Sequence, residues 1–217
     1  MKKVVLIHTS LVSILDLKAL FAEMMPEVRM VNIIDDSLLP EVMEHGGVTP
    51  SVVRRICAYA VEAEAMGADL IFNQCSSVGE AFDIASRLVH VPTLKIDQAM
   101  AEKAVDIGQR ILTVATVETT LGPSCRLIES VAREKGKSIE LQPCLVKGAF
   151  AALTQEADKG KHNRLILDAI RENAESADVV VLAQGSMTAL LPYLSDIPKP
   201  VLTSPRLGVE RARKILK

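Results

Sequence analysis

The stretch ADLIFNQCSS at residues 68–77 decides the fold, because the chain repeats it without a gap as ADVVVLAQGS at residues 177–186. Each copy consists of Ala-Asp, a run of apolar residues and then small polar residues. Such a run is typical of a buried strand that leads into a helix. A strand-to-helix corner that occurs twice predicts two related α/β halves. Cys75 of the first copy aligns with Gln184 of the second.

The remainder of the chain alternates short apolar runs with longer amphipathic segments, which indicates βαβ units and parallel sheets. The predicted strands are residues 3–8, 29–34, 69–73 and 92–95 in the first half and 110–115, 139–143, 178–182 and 200–202 in the second. The clearest predicted helices are residues 50–66, 122–135, 158–175 and 205–215. Thr49 is the expected N-cap of the first of these helices, with proline at its first position.

The predicted fold class is therefore α/β, with two pseudo-symmetric flavodoxin-like lobes. Each lobe is expected to be a parallel sheet flanked by helices, with a cleft between the two. We assign residues 1–97 and 203–217 to lobe one and residues 98–202 to lobe two. Val91-Pro92 and Ile197-Pro198 follow the two copies at similar spacing, which extends the repeat. Because ligands of open α/β sheets bind beyond the carboxyl ends of the strands, the cleft is the expected site.

Composition excludes several classes of function. The 217 residues are 49% hydrophobic, which is enough for a sizeable core. The net charge of −2, the 3% aromatic content and the lack of tryptophan argue against nucleic-acid binding. No apolar run has the length of a membrane span. The four cysteines lack zinc-site spacing, and no export signal is recognisable, so free thiols in the cytoplasm are expected.

Cys75 and Gln184 are the two candidates for chemistry. A helix N-terminus lowers the pKa of a thiol, so Cys75 is predicted to be a thiolate near neutral pH that acts as base or nucleophile. A buried, inert cysteine is the alternative. Gln184 exchanges no proton near neutral pH, but its amide can orient a carbonyl or stabilise negative charge. A purely structural hydrogen bond is the alternative for Gln184.

Small polar residues near the two corners are candidate ligands for a substrate. Gly185 permits close approach of the backbone, and Ser186 is suited to cap the following helix. Thr116 and Thr119 offer hydroxyls and amides for a carboxylate. Ordinary N-capping by Thr119 or Thr120 is the alternative, and the two roles are compatible. His8 can titrate in the functional range, although a histidine at a strand end is more often structural.

The segment Pro40–Thr49 is a second region of interest. Gly46-Gly47 gives its backbone freedom, and it follows the end of a predicted strand. We interpret it either as a lid or as a surface loop with a Gly-Gly turn. It contains His45, a further candidate site residue. His45, His90 and His162 show no ligand spacing with one another, and no metal site is predicted.

These features resemble the aspartate/glutamate/hydantoin racemase superfamily over nearly the whole chain. The resemblance rests on the two Ala-Asp corners, the Thr-x-x-Thr pattern at residues 116–119 and the chain length. Such enzymes have two pseudo-symmetric α/β lobes with one cysteine from each. One thiolate removes the proton beside a carboxylate, and the other thiol returns a proton from the far side. The resemblance implies no cofactor and makes a dimer plausible. The family also holds maleate isomerases and arylmalonate decarboxylases.

On this resemblance, Cys75 takes the place of the lobe-one cysteine, while Gln184 stands where the lobe-two cysteine belongs. Ser76 and Ser77 occupy the place of an Asn-Thr pair that is common in the family, and Ser10 falls in the substrate loop of lobe one. The remaining candidate ligands are Thr116, Thr119, Gly185 and Ser186, with His8, His45 and Asn73 as further candidates.

The expected function is a cofactor-independent isomerase or epimerase of a small carboxylic acid. It would move the proton at the carbon beside the carboxylate through an enolate, whose stabilisation is the main energetic task. Because glutamine carries no proton, the return proton would come from Cys75 itself, from water or from His8. A decarboxylase or other lyase needs only one proton donor and is the first alternative. A non-catalytic small-molecule binding protein is the second.

Overall fold

The computed structural model describes all of residues 1–217 and contains two compact units. Lobe one comprises Met1–Ala99 together with Pro205–Lys217, and lobe two comprises Met100–Ser204. The sequence-based divisions after residues 97 and 202 each lie two residues before these.

Each lobe contains one four-stranded parallel sheet, and the two sheets have the same strand order. In lobe one the order is β2-β1-β3-β4, and in lobe two it is β6-β5-β7-β8. The strands are β1 (Lys3–His8), β2 (Arg29–Ile34), β3 (Leu70–Asn73), β4 (Thr93–Lys95), β5 (Arg110–Ala115), β6 (Glu140–Leu145), β7 (Val179–Leu182) and β8 (Val201–Thr203).

Helices follow the strands, as the βαβ pattern predicts. They are α1 (Ile14–Met24), α2 (Leu38–Glu44), α3 (Pro50–Ala65), α4 (Gly79–Ala85), α5 (Gln98–Ile107), α6 (Glu118–Glu134), α7 (Ala149–Thr154), α8 (Lys159–Asn173) and α9 (Ser204–Leu216). Short 3₁₀ segments lie at Ser76–Val78, Ala174–Ser176 and Gly185–Tyr193. None of the α-helices combines the length and apolar character that a membrane crossing requires.

The central strands are apolar because both faces of each sheet are covered. In β1, Val5 and Ile7 contribute to the core cluster that includes α3. Val4 and Leu6 alternate with them and contribute to a second cluster, which includes residues of α1 and α9. A strand whose alternate side chains enter two different cores reads as a continuous apolar run, which is why β1 was predictable.

The register of the central strands confirms the repeat. Val4 pairs with Leu70 in lobe one as Ile111 pairs with Val179 in lobe two. Beyond the strands, the amide of Gln74 donates to the Ile7 carbonyl at 3.2 Å, and the amide of Ala183 donates to the Val114 carbonyl at 2.9 Å. The two copies therefore superpose residue for residue, and Cys75 and Gln184 occupy equivalent positions.

The proposed continuation of the repeat at Pro198 is wrong. The Ile71 amide donates to the carbonyl of Pro92 at 3.0 Å, whereas the Val180 amide donates to the carbonyl of Pro200 at 2.9 Å. Pro200 is therefore the counterpart of Pro92. Pro198 follows an isoleucine as Pro92 follows a valine, which made Pro198 the better match in the sequence. The strand register instead makes Pro200 the equivalent residue.

The Ala-Asp pair of each copy lies at the amino end of its strand and has a structural role. The Asp69 carboxylate accepts a hydrogen bond from the Lys3 amide at 2.8 Å. In lobe two, the Asp178 carboxylate accepts one from the equivalent Arg110 amide at 2.8 Å and pairs with the Arg110 guanidinium at 2.7 Å. These bonds join the starts of the two central strands of each sheet. They lower the pKa of Asp178 to about 2, with the guanidinium hydrogen bond as the largest cause.

We expect Asp178→Asn to flatten the acid limb of the stability curve. A carboxylate with a depressed pKa in the fold contributes stability above its unfolded pKa, and that contribution disappears as the pH falls toward 2. The measurement is the urea midpoint by circular dichroism at pH 6 and pH 2.5. The exposed Asp168 of α8 provides the control Asp168→Asn. A wild-type-like acid loss in Asp178→Asn would contradict the assigned role.

The long helix α3 begins and ends as predicted. The Thr49 side chain accepts a hydrogen bond from the Val52 amide at 3.2 Å, and Pro50 takes the first helical position. Gly67 ends the helix in the left-handed region at φ 75°, where glycine is favoured.

The segment Pro40–Thr49 is not an irregular loop, because α2 continues into it as far as Glu44. Val42 is fully buried in the lobe-one core. Glu41 accepts hydrogen bonds from the Arg55 guanidinium and from the Thr49 hydroxyl, which tie the segment to α3. The surface-loop interpretation is wrong for the helical part, and these contacts do not favour a lid.

Candidate functional site

Cys75 and Gln184 share one backbone conformation at the carboxyl end of their sheets. Cys75 is extended, with φ −126° and ψ 118°, and Gln184 has φ −120° and ψ 131°. Each then leads into a 3₁₀ turn. The Val78 amide donates to the Cys75 carbonyl at 3.3 Å, and the Met187 amide donates to the Gln184 carbonyl at 3.0 Å. The two corners therefore differ in side chain and not in backbone.

The side chain of Asn73 forms two hydrogen bonds with the backbone of Cys75. Its amide nitrogen donates to the Cys75 carbonyl at 2.9 Å, and its oxygen accepts from the Cys75 amide at 3.4 Å. Asn73 is buried at the end of β3, and its counterpart in β7 is the apolar Leu182. Asn73 therefore holds the backbone of the cysteine in position.

The Cys75 thiol lies between the core of lobe one and a set of hydrogen-bond donors. It is half-buried and packs against the cluster that includes α3 and α4. Burial raises the pKa of Cys75, while hydrogen bonds from the Thr9 hydroxyl, the Ser77 amide and hydroxyl and the Val78 amide act to lower it. Burial dominates, so the net pKa is above the ordinary value. The prediction of a thiolate near neutral pH is wrong.

The hydrogen-bond donors around the Cys75 sulfur nevertheless affect its chemistry. Donors aimed at a sulfur stabilise its charged form more than its neutral form. Cys75 is therefore a protonated thiol in the resting protein, in a setting that lowers the cost of losing the proton. That combination suits an acid that must become a base within one reaction cycle.

A threonine performs the same task at both corners. Thr9 follows β1 at the position that Thr116 occupies after β5, as the strand registers show. The buried Thr9 hydroxyl forms no hydrogen bond of ordinary geometry, but it lies close enough to the Cys75 thiol to lower the thiol pKa. The Thr116 hydroxyl instead donates to the Gln184 side-chain oxygen at 3.0 Å. Thr9 was not among the predicted site residues, although its alignment with Thr116 identifies it.

Gln184 is held by its side-chain oxygen. That oxygen accepts from the Thr116 amide at 2.6 Å as well as from the Thr116 hydroxyl. Both donors of Thr116 are therefore used within the lobe, and its contact with a carboxylate stays a prediction. The amide nitrogen of Gln184 retains two hydrogens to donate. Gln184 can thus bind an acceptor in a fixed orientation, but it moves no proton.

The other lobe-two candidates differ in their surroundings. Helix α6 begins after Val117 with no side-chain cap, so capping by Thr119 is wrong. The Thr119 hydroxyl is buried without a hydrogen-bond partner. Gly185 and Ser186 open the 3₁₀ segment that ends at Tyr193. Ser186 is exposed and forms no cap, which corrects the prediction for that residue.

The histidine candidates have structural partners. His8 is fully buried, and its Nε2 donates to the side-chain oxygen of Asn32 at 2.8 Å. Burial lowers the pKa of His8, so the neutral ring is favoured and a proton-donating role is disfavoured. His45 is exposed at the end of α2, where its ring bonds the Glu41 carbonyl at 3.0 Å.

Ser13 also attaches the loop after β1 to the corner. The Ser13 hydroxyl donates to the side-chain oxygen of Gln74, next to Cys75, at 2.6 Å. Ser10 lies in this loop and is half-buried. No group of three or more His, Cys, Asp and Glu side chains is placed to hold a metal ion.

A buried carboxyl group, Asp97, also belongs to the corner and was missed by the sequence analysis. Asp97 follows β4 and is hydrogen-bonded to the hydroxyl of Ser76. Ser76 and Ser77 are themselves buried directly after Cys75. The available signal was a single acidic residue immediately after a predicted strand, which is weak without knowledge of the strand order.

Comparison with protein families places the chain among known enzymes. The family model described as Asp/Glu/Hydantoin racemase matches residues 9–212. The chain therefore belongs to the Asp/Glu/hydantoin racemase family. A comparison with curated proteins found no significant match.

Solved structures of this class have the same two-lobe fold. A glutamate racemase isoform, RacE1, from Bacillus anthracis is 13% identical, with a TM-score of 0.72 over 99% of this chain and 81% of that chain. The aspartate racemase of Picrophilus torridus is 17% identical, with a TM-score of 0.72 over 100% and 95%. An unliganded arylmalonate decarboxylase is 14% identical, with a TM-score of 0.62 over 100% and 93%.

Proposed function

We propose that this protein is a racemase-type isomerase of a small carboxylic acid, with Cys75 as its proton carrier. The observation that supports the proposal most strongly is the Cys75 thiol, surrounded by donors to its charged form at the carboxyl end of a parallel sheet. Membership of the racemase family supports the reaction class. The proposed reaction uses no cofactor, and a homodimer is the proposed assembly.

In the proposed reaction, the resting Cys75 thiol first releases its proton to water, and the resulting thiolate removes the proton from the carbon beside the substrate carboxylate. The electron pair of that C–H bond becomes the enolate, whose negative oxygen needs hydrogen-bond donors. Ser76 and Ser77 are the proposed donors in lobe one. The reaction ends when the carbon regains a proton, either from the Cys75 thiol or from water. Return from Cys75, after its thiol hydrogen has exchanged with solvent, gives isotope exchange with retention. Water that protonates the opposite face gives inversion and leaves a hydroxide, which takes the proton from the Cys75 thiol.

A decarboxylase is the second candidate, and the direction of the Cys75 pKa favours it. A thiol that is protonated at neutral pH is ready to act as an acid. Loss of carbon dioxide from a substrate with two carboxylates on one carbon would leave an enolate. The Cys75 thiol would then donate its proton to carbon, and water would reprotonate the sulfur. One proton carrier is enough, which agrees with glutamine at position 184.

The test is proton NMR of the wild-type protein in deuterated water with amino, hydroxy and dicarboxylic acids. We expect deuterium to replace the hydrogen beside the carboxylate of at least one acid, and chiral chromatography then measures inversion. Loss of carbon dioxide without exchange would instead establish the decarboxylase. A panel in which no acid reacts would contradict both and favour a binding protein.

A further inference from the structure

Asp97 is a buried acid for which the proposed reaction has no role. Only 3% of its surface is exposed, although it lies at the carboxyl end of the lobe-one sheet. One carboxyl oxygen, Oδ1, is buried without any hydrogen-bond partner. The side chain is hydrogen-bonded to the Ser76 hydroxyl and to its own backbone amide. These surroundings determine whether the carboxyl group is charged or neutral.

The charged form of Asp97 is poorly supported. Lys95 is the cation that favours a charged Asp97, but its ammonium group binds the Asp83 carboxylate at 2.7 Å. Asp83 also repels a negative charge on Asp97. An ionised carboxylate with one unpaired buried oxygen loses much of its hydration without compensation. Burial is the largest cause that raises the pKa of Asp97.

The neutral form fits the same surroundings better. A protonated carboxyl group has one O–H donor and one carbonyl oxygen. An unpaired carbonyl oxygen costs less than an unpaired oxygen of a charged group. The hydroxyl oxygen of Ser76 can accept from the carboxyl group while its own hydrogen is donated elsewhere. The charge state of Asp97 thus determines whether Ser76 is a donor or an acceptor toward its other neighbours.

We propose that Asp97 is held protonated near neutral pH and donates a hydrogen bond to the Ser76 hydroxyl, which leaves the Ser76 hydrogen for an anionic carboxylate ligand. Asp97 is then a positioning residue that acts through Ser76 next to Cys75. The ligand part of this inference rests on the proposed function, whereas the protonation state does not. If Asp97 ionises, Ser76 donates inward and presents lone pairs to the anion. Binding of a carboxylate should therefore weaken as the pH rises.

Few titratable or charged groups surround Asp97, so a change in its NMR signal can be attributed to its own protonation. Lys95 lies two residues before it on β4, and Asp83 is on α4. The Cys75 thiol adjoins Ser76 in the turn after β3. The C-terminal helix α9 faces the residue before Asp97 with Gly208, which carries no charge.

The decisive experiment is a titration of the aspartate side-chain carboxyl carbons by carbon-13 NMR, with Asp97→Asn to assign the signal. We expect the Asp97 signal to remain at the position of a protonated acid at pH 7. A signal that moves to the carboxylate position below pH 5 overturns the proposal. Because no substrate is required, this result is independent of whether the protein proves to be an isomerase.

The second readout is the exchange assay with Asp97→Asn and Asp97→Ala. Asparagine keeps an N–H donor for Ser76, so kcat/KM should stay within about threefold of wild type. Alanine removes the donor, and kcat/KM should fall about tenfold, mainly through KM. Ser76→Ala should match Asp97→Ala, and the double variant should add little. An equal loss in Asp97→Asn and Asp97→Ala would overturn the role of the donated hydrogen bond.

The design separates failure of the inference from failure of the proposed function. If no acid exchanges, the proposed function fails while the NMR titration still decides the charge state. If exchange occurs but Asp97 is ionised at pH 7, the proposed function stands and the inference fails. Thermal midpoints of the variants show whether a loss of activity reflects loss of fold. The titration itself is measured on the wild-type chain, and a folded variant is needed only to assign the Asp97 signal.

Discussion

Replacing Cys75 by alanine should lower kcat/KM by about 10²–10⁴-fold, the range that a positioned proton carrier supplies. Cys75 provides the only thiol of the two equivalent corners, because the other corner has glutamine at position 184. A glutamine side chain neither gives nor takes a proton near neutral pH. The fold should persist, since the side chain is only partly buried and Asn73 still holds the backbone. The measurement is exchange in deuterated water with the acid that the panel identifies, beside a thermal midpoint.

Cys57→Ala is the matched control for this experiment. Cys57 lies on α3 and packs against the same core cluster, and burial also raises its pKa. The two substitutions therefore remove the same atoms from one core, but only one removes the sulfur from the corner. We expect the Cys57 variant to retain activity. Full activity of Cys75→Ala with the same substrate would eliminate the cysteine mechanism.

The pH dependence separates the two candidate reactions. Because burial raises the pKa of Cys75, a reaction that begins with the thiolate should accelerate as the pH rises toward that pKa. A reaction that uses the thiol as an acid should instead be flat at neutral pH and decline over the same alkaline range. The Cys75→Ala variant should lose this limb in either case.

The central architecture was predictable because apolar runs bounded by polar residues determine it. The predicted bounds 3–8, 29–34 and 110–115 are those of β1, β2 and β5. The repeat gave the equivalence of Cys75 and Gln184, which the strand registers confirm. Both are properties of local sequence and period, which do not depend on the packing of distant segments.

The charge states of the corner were not predictable in the same way. The helix N-terminus was expected to lower the pKa of Cys75, but burial against the lobe-one core outweighs it. Asp97 is 21 positions after Ser76, and the two meet only because β4 lies next to β3 with Lys95 opposite Asn73. Burial and register arise from tertiary packing, so a single sequence does not reveal them.

The C-terminal helix contributes a second large effect, because it packs closely on the strands that carry the corner. A Cβ atom on Gly208 of α9 would lie 2.7 Å from the Ile96 carbonyl oxygen and 3.2 Å from the Phe72 ring. The first of these atoms belongs to the backbone directly before Asp97, and it cannot rotate away. Gly208 is thus required for the close approach of α9 to the end of β4.

Gly208→Val should destabilise the protein by about 2–4 kcal/mol, since overpacking forces the helix or the strand to shift. The measurement is the urea midpoint by circular dichroism, with Gly47→Val as control, because a Cβ there meets nothing within 4 Å. The control should change stability by less than about 1 kcal/mol. The shift should also displace Ile96, so the carboxyl signal of Asp97 should move in Gly208→Val and not in Gly47→Val. Equal midpoints for the two variants would show that α9 yields at little cost, and the close contact would then not constrain the corner.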